Sequence, residues 1–159
     1  MQQPGSCYFK ATARPVAELL ACPREVSDLL SAWARTVPFE HGDIVFRQGD
    51  ACAGLYVVSD GRLLRRSDHG NARVSLGVTR PGELVELAAA LGEPRHSYSL
   101  VGQGTGSLVL LPLHYLNRAF EACPALRMQL LEELAREVSR AYYASSLARE
   151  ALMRHVGVF

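Results

Sequence analysis

The middle of the sequence, residues 39–111, is divided by glycines and other turn residues into short apolar runs. The runs are DIVFRQGD, AGLYVVSDG, RLLRRSDHG, ARVSLGVT, SYSLVG and GSLVLLP. Each has the length of a β-strand, and the spacing of roughly ten residues between turn signals is typical of a small sandwich or barrel. The pattern therefore predicts a mostly β domain, with hairpin corners at residues 60–61, 69–71 and 102–107.

Helical patterns flank this β region. The first begins after Pro23 and is predicted to end before Pro38, because proline disfavours a helical conformation in the residue that precedes it. Its apolar residues recur at i, i+3, i+4 and i+7 and so share one face: Val26, Leu29, Leu30 and Trp33. Residues 1–22 show no clear period, so we predict a loose arm there, with one helical turn over residues 16–20.

A longer helical pattern follows the β region. Residues 112–123 are predicted to form a short helix, and a second pattern runs from about Pro124 to the end, with no glycine before Gly157. Within it, residues recur at alternating steps of three and four, as in a coiled coil: Leu131, Leu134, Val138, Ala141, Ser145, Ala148 and Leu152. We expect a homodimer that forms through residues 131–152. The alternative is that this seam packs on the chain's own β domain.

The charges do not indicate a nucleic-acid or membrane partner. Seventeen basic and sixteen acidic side chains leave a formal net charge of +1, so no overall field attracts polyanions. The arginines of RLLRR, at positions 62, 65 and 66, point to different faces of a strand, which predicts a solvated sheet edge. No apolar run is long enough for a membrane span or a signal peptide. We therefore expect a cytoplasmic protein without a membrane partner.

Sequence motifs for catalysis and metal binding are absent. The four cysteines, Cys7, Cys22, Cys52 and Cys123, contain no CxxC pair, so their spacing predicts free thiols and neither a zinc nor an iron–sulfur site. No spacing singles out a pair of histidines as haem ligands. There is no GxSxG or comparable nucleophile motif. We expect neither a catalytic residue nor a metal ligand.

The order of helix, glycine-cornered strands, short helix and long amphipathic helix resembles a known family, the cyclic-nucleotide-binding (cNMP) sensor domain of Crp/Fnr bacterial transcription regulators. Three segments carry the resemblance: FEHGDIVFRQGDACAGLYVVSDGRLLRR, PGELVEL with a later arginine, and the long helix. They resemble the family's opening strands, its phosphate-binding cassette and its dimerisation helix. The resemblance implies a double-stranded β-helix or jelly-roll barrel at 23–123 and a dimerisation helix at 124–159, after an N-terminal arm at 1–22.

The cassette supplies the candidate ligand-binding residues. Gly82 permits an unusual backbone conformation or a close approach, Glu83 can accept hydrogen bonds from a sugar hydroxyl, and Arg95 can bind phosphate oxygens. The resemblance implies a small anionic effector such as cyclic AMP or cyclic GMP, held by the cassette and by a residue of the long helix. The candidate residues are Gly82, Glu83, Leu84, Val85, Arg95, His96, Ser97 and Tyr142.

The cassette departs from the family pattern in three places. Gly82 and Arg95 are 13 positions apart, more than is usual in members that bind cyclic nucleotides, and His96 stands where they place a serine or threonine. Ala141 and Tyr142 stand where cyclic-AMP receptors place a Thr-Ser pair against the base. A cyclic nucleotide, another small effector and a degenerate pocket in a purely structural dimerisation module therefore stay open. If Arg95 binds no ligand, we expect it to form a surface salt bridge to Glu93 or Glu86.

Crp/Fnr regulators normally continue after the long helix into a helix-turn-helix that enters the DNA major groove. This sequence stops at RHVGVF. We expect that the chain is cut before the DNA-binding domain, so that it binds no nucleic acid itself and DNA contact requires the absent domain. The alternative is a stand-alone sensor that responds to a non-nucleotide effector.

Overall fold

A computed structural model describes residues 23–156. Within this range the strands are β1 (Arg35–Phe39), β2 (Ile44–Phe46), β3 (Gly54–Asp60), β4 (Leu63–His69), β5 (Ala72–Val78), β6 (Leu84–Val85), β7 (Ser99–Gly102) and β8 (Gly106–Pro112). The helices are α1 (Arg24–Trp33), α2 (Leu87–Leu91), α3 (Leu113–Ala122) and α4 (Pro124–Val156). The predicted arm, with Cys7 and Cys22, lies outside the described residues.

The eight strands form two antiparallel four-stranded sheets. The first sheet has the order β1-β8-β3-β6 and the second has the order β2-β7-β4-β5. Most consecutive strands lie in different sheets, so the chain repeatedly crosses from one sheet to the other, as in a jelly roll. The predicted mostly β fold with flanking helices and a long C-terminal helix is confirmed.

Two of the three predicted hairpin corners are wrong. The corner at residues 60–61 joins β3 to β4, and the corner at 103–105 joins β7 to β8, and both connect strands of different sheets. A Cβ at Gly61 would lie 2.6 Å from the Thr105 carbonyl oxygen, and one at Gly106 would lie 2.3 Å from that of Asp60. These glycines are therefore needed because two sheet-crossing corners pack together. Only the turn at residues 70–71 joins paired strands.

Strand β3 is buried on both faces because the first sheet separates two cores. Its successive side chains point to opposite faces, so Leu55 and Val57 face the helices while Tyr56 and Val58 face the second sheet. Burial on both sides explains why this strand reads as a continuous apolar run. The inter-sheet core consists of Phe39, Phe46, Tyr56, Val58, Leu63, Val85, Leu100 and Leu108.

Helices α1, α3 and the start of α4 cover the outer face of the first sheet. Val26 and Leu30 of α1 are buried there, and Trp33 stacks on Tyr115 of α3 with ring centroids 4.2 Å apart. The predicted end of the first helix before Pro38 is confirmed. Pro38 itself lies in β1, an edge strand, where the missing N–H group costs least.

Helix α4 begins at Pro124, as predicted, and only its first turns pack on the barrel. Leu126 and Leu130 are buried and Leu134 is partly buried, whereas Val138 and Leu152 are 60% and 66% exposed. The seam therefore packs on the chain's own core only as far as Leu134. For the residues after Leu134, this contradicts the alternative prediction that the seam packs on the chain's own β domain. None of the helices described between residues 24 and 156 is long and apolar enough to cross a membrane.

Replacing Gly54 with alanine is expected to destabilise the fold by about 2–3 kcal/mol, the upper part of the range for overpacked cores. A Cβ there would lie 2.0 Å from the Leu111 carbonyl oxygen, which the β3–β8 pairing holds in place. Gly70→Ala is the matched control, because its Cβ would meet no atom within 4 Å and only its positive φ of 59° opposes the change. Urea unfolding measures both variants, and equal losses of stability would contradict the steric argument.

Candidate functional site

The cassette turn is fastened to strand β3 by two backbone hydrogen bonds. The Gly82 N–H donates to the Val58 carbonyl at 2.8 Å, and the Val58 N–H donates to the Glu83 carbonyl at 3.0 Å. Gly82 has a φ of 87° and no atom near the position of a Cβ, so it serves the turn conformation and not a close approach. Leu84 and Val85 follow in β6 and are buried in the two cores. They support the turn from inside.

Glu83 forms an ion pair that sequence reasoning missed. Its Oε2 accepts a hydrogen bond from Arg65 Nη2 at 3.2 Å, and the two side chains are 38% and 23% exposed. Arg65 and Arg66 come from β4, which lies between β7 and β5, so the predicted solvated edge is wrong for both. The alternation of side chains along RLLRR places Arg65 and Arg66 on opposite faces of the strand. The sequence does not show which of these faces lies against the cassette.

Tyr98 holds Arg65 in place. The Arg65 Nε donates to the Tyr98 hydroxyl at 3.4 Å, and the guanidinium carbon lies 5.8 Å from the ring centroid. The same hydroxyl accepts a hydrogen bond from the Glu86 backbone N–H at 3.3 Å. Burial raises the pKa of Tyr98 to about 12, so the phenol remains protonated at neutral pH. Tyr98 thus links the arginine to the backbone of the cassette.

The long helix reaches this group of residues at Glu137. Burial raises the pKa of the Glu137 carboxyl, while the positive charge of Arg65 lowers it and the negative charge of Glu83 raises it further. The charges of Arg65 and Glu83 thus act on a side chain of the long helix. We refer to Arg65, Glu83, Tyr98 and Glu137 as the cassette cluster. It joins the second sheet, the cassette and α4.

The remaining candidate residues do not join the cassette cluster. Arg95 is exposed, and its Nη1 donates to the Gly49 carbonyl at 2.9 Å. The expected salt bridge of Arg95 to Glu93 or Glu86 is wrong, since no ion pair among residues 23–156 involves it. Tyr142 lies on α4 and is 72% exposed. Neither Arg95 nor Tyr142 is therefore hydrogen-bonded to Glu83.

His96 and Ser97 turn to a different carboxylate, that of Glu86. His96 Nδ1 lies 3.1 Å from Glu86 Oε2, and the Ser97 hydroxyl donates to Oε1 at 3.1 Å. The Glu86 side chain is fully buried and that of His96 is 2% exposed. Glu86 has a φ of 72°, a left-handed conformation that is uncommon outside glycine, at the residue just before α2. The turn therefore directs Glu86 inward while it directs Glu83 outward.

Cys52 lies next to this pair, because two loops are fastened to each other. The Cys52 N–H donates to the Pro94 carbonyl at 2.8 Å, and the His96 N–H donates to the Asp50 carbonyl at 2.9 Å. The metal-ligating atoms of Cys52, Glu86 and His96 all lie within 4.8 Å of one another, and all three residues are buried. We call these three residues the buried cluster. Their positions, 52, 86 and 96, carry no spacing motif that a sequence search would find.

The walls of the buried cluster are aromatic. The His96 ring stacks on Phe46 with centroids 3.7 Å apart and an angle of 7° between the planes. Burial raises the pKa of the Cys52 thiol, and it raises the pKa of Tyr56 to about 12. The thiol donates to the Gly54 carbonyl with a separation of 3.3 Å. The cluster is thus a buried, hydrogen-bonded site at one end of the inter-sheet core.

Two depressions lie on the described surface, and neither is lined by the predicted ligand-binding residues. One lies on α4 and the other at the end of β5. The first is lined by Ala135, Arg136, Ser139 and Arg140, and the second by Arg62, Val78, Thr79, Arg80 and Pro81. Neither depression includes Glu83 or Arg65.

Comparisons with known proteins agree with this architecture. The family model for the cyclic nucleotide-binding domain matches residues 36–123, more than half of the chain. The transcriptional activator protein Anr of Pseudomonas protegens is 32% identical over 103 residues, which are 64% of this chain and 41% of Anr. The chain therefore spans about two-fifths of the length of this curated relative.

Solved structures show the same fold. The sensor domain of the transcriptional regulator DNR from Pseudomonas aeruginosa superposes with a TM-score of 0.73 at 17% identity, covering 84% of this chain and 92% of that domain. The catabolite activator protein of Thermus thermophilus gives a TM-score of 0.70 at 25% identity, covering 85% of this chain and 63% of that protein. This chain belongs to the cyclic nucleotide-binding domain family, and its curated relatives are Crp/Fnr transcription regulators.

Proposed function

We propose that this chain is the effector-sensing and dimerisation part of a Crp/Fnr-like transcription regulator and not an enzyme. Its effector is a small anionic molecule that binds at the cassette cluster. One observation carries the proposal: the cassette ion pair is partly open to solvent, and α2, which follows the cassette directly, packs on the long helix α4. A ligand that alters the pair therefore acts on the helix as well.

Arg65 is the cation that best fits an anionic effector. It is held by Tyr98 through Nε and by Glu83 through Nη2, so an anion can take over the contact to Nη2. Glu83, once released, is free to accept hydrogen bonds from hydroxyl groups of the ligand. Cyclic AMP and cyclic GMP offer both groups, a phosphate and a ribose hydroxyl, and are the first candidates. Arg95 is a second candidate cation that must first leave the Gly49 carbonyl.

The signal would pass from the cassette to the dimer. Helix α2 follows the cassette directly and packs on α4, and Leu87 and Leu126 lie in the same core. A ligand that favours one arrangement of the cassette shifts the population of α4 positions by its difference in affinity between them. A second copy of the chain would cover the exposed seam of α4. In this scheme residues 23–123 are the sensor, 124–159 the dimerisation helix and 1–22 an arm.

One observation favours a second candidate function, a structural dimerisation module without an effector. Glu83 already has a partner in Arg65, and Arg95 is turned onto a backbone carbonyl. Side chains that already have hydrogen-bond partners within the chain need no ligand. This candidate keeps the dimer and loses the sensing.

Calorimetric titration with cyclic AMP and cyclic GMP, in the presence of a chelator, distinguishes the two. We expect binding to the wild type and a loss of about 10–100-fold in affinity for Arg65→Ala, as for removal of a charge-assisted hydrogen bond. Glu83→Ala should also lower the affinity. Arg118→Ala is the control, because Arg118 is exposed on α3.

Each other outcome of this titration has a defined meaning. Absence of heat with both nucleotides favours the structural module. A large loss with Arg95→Ala and none with Arg65→Ala would move the phosphate contact to Arg95 and reject the assignment of Arg65. Equal losses with Arg118→Ala would show that the effect is not specific to the cassette.

A further inference from the structure

We infer that the buried cluster of Cys52, Glu86 and His96 binds one divalent transition-metal ion of the zinc class. Among residues 23–156, this is the group in which three metal-ligating side chains come within 4.8 Å of one another. The inference does not rest on the proposed function, because none of the three residues belongs to the cassette cluster. It adds a second ligand site to the domain.

The distances suit a small tetrahedral ion. Zinc bonds of about 2.0–2.3 Å place neighbouring donor atoms about 3.5 Å apart in a tetrahedron. His96 Nδ1 and Glu86 Oε2 are 3.1 Å apart, and all the ligating atoms lie within 4.8 Å of one another. Side-chain shifts of about 1 Å or less therefore close the site around an ion. The backbone need not move, because hydrogen bonds between the loops at 49–52 and 94–96 already hold Cys52 and His96 close together.

The donor types select the class of metal. A thiolate sulfur, an imidazole nitrogen and a carboxylate oxygen together suit zinc and its neighbours, whereas magnesium and calcium prefer oxygen donors alone. On binding, the Cys52 sulfur would exchange its hydrogen bond to Gly54 for a bond to the metal, and the thiol proton would leave to solvent. The ion would then neutralise two buried negative charges, which are costly without a cation. A fourth position remains for water or another ligand.

Neighbouring side chains orient the proposed ligands. The Ser97 hydroxyl holds the second oxygen of Glu86, and Phe46 fixes the plane of the His96 ring. Partners of this kind keep metal ligands in one rotamer and strengthen binding. The left-handed backbone of Glu86 also has a purpose in this arrangement, since it directs the carboxylate into the core just before α2. A bound ion would tie together the cassette, the loop at 49–52 and the segment at 94–96.

Cobalt(II) is the probe for this site, because a cobalt–thiolate bond produces a charge-transfer absorption band. The titration uses the full chain carrying Cys7→Ser, Cys22→Ser and Cys123→Ser, so that Cys52 is the one remaining thiol. We expect one cobalt per chain, a charge-transfer band, and its loss when equimolar zinc is added. Adding Cys52→Ser should remove the band. It should also weaken binding by at least about 100-fold, since even residues that only support a metal ligand contribute about 10–100-fold.

Glu86→Gln keeps the size of the side chain and provides a second variant. We expect the band to persist in it with affinity lowered at least about tenfold. Zinc should raise the midpoint of thermal unfolding of the parent and not of the Cys52→Ser protein, and this readout needs no absorption band. A parent protein that binds no cobalt, or a band that survives Cys52→Ser, would overturn the inference. A failure here leaves the effector proposal intact, because the nucleotide titration is made with chelator present.

Discussion

Replacing His96 with leucine is expected to lower the free energy of unfolding by about 3–5 kcal/mol, the cost of removing one partner from a buried ionic or hydrogen-bonded pair. The Glu86 carboxyl is fully buried and would keep one side-chain partner, the Ser97 hydroxyl. Water cannot replace the lost imidazole without opening the wall that Phe46 forms. Leucine nearly preserves the volume, so the loss reports on the polar contact more than on a cavity.

Chemical unfolding followed by circular dichroism measures this loss, with a chelator present so that a bound metal makes no contribution. His114→Leu is the matched control, because His114 is exposed and should change the stability by no more than about 0.5 kcal/mol. The double variant Glu86→Leu with His96→Leu should recover at least about 1 kcal/mol relative to His96→Leu, since it removes the orphaned carboxyl. A loss below about 1 kcal/mol in His96→Leu would show that the pair is not a structural requirement.

Ala141→Glu is expected to convert a dimeric chain to monomers. Ala141 lies on the exposed seam of α4, and a parallel pair of helices would bring two copies of the new carboxylate together. A buried charge without a partner costs several kcal/mol, so the dimerisation constant should weaken by at least about 100-fold. Sedimentation velocity over a range of concentrations detects the change.

Ser139→Glu introduces the same charge on the same helix, away from the seam, and is expected to leave the dimer intact. Ala148→Glu should repeat the effect of Ala141→Glu one heptad later. Far-ultraviolet circular dichroism must show that each variant retains its helix. A wild-type chain that is monomeric at every concentration, or a Ser139→Glu variant that dissociates as readily as Ala141→Glu, would reject the seam as the dimer contact.

Much of the fold could be predicted from the sequence because its signals are local. Glycine and aspartate mark the strand ends. An apolar face that follows Pro23 in the chain marks the first helix, and an uninterrupted helical pattern from Pro124 marks the long helix. Pairing is not local. The corners at residues 60–61 and 103–105 carry ordinary turn residues, yet they lead into the other sheet because their glycines allow two corners to touch.

The candidate site was predictable only in part for the same reason. PGELVEL marked the cassette, and Glu83 lies at its surface. Nothing in the sequence pairs Glu83 with Arg65, which is 18 positions away on another sheet. The inward turn of Glu86 depends on a left-handed backbone that no residue preference announces, and it gathers Cys52 and His96 into a group. Side chains that are brought together by the pairing of distant strands have no characteristic spacing in the sequence.

The length of α4 beyond the last seam residue that packs on the core has a mechanical consequence. Leu134 is the last seam residue packed on the core, and the helix continues to Val156. These 22 further residues span about 33 Å at 1.5 Å per residue. Treated as a rigid rod, the helix would move its far end by about 6 Å for a tilt of about 10° at Leu134. A tilt of this size at Leu134 thus becomes, at the far end of the helix, a displacement about as large as one helical turn.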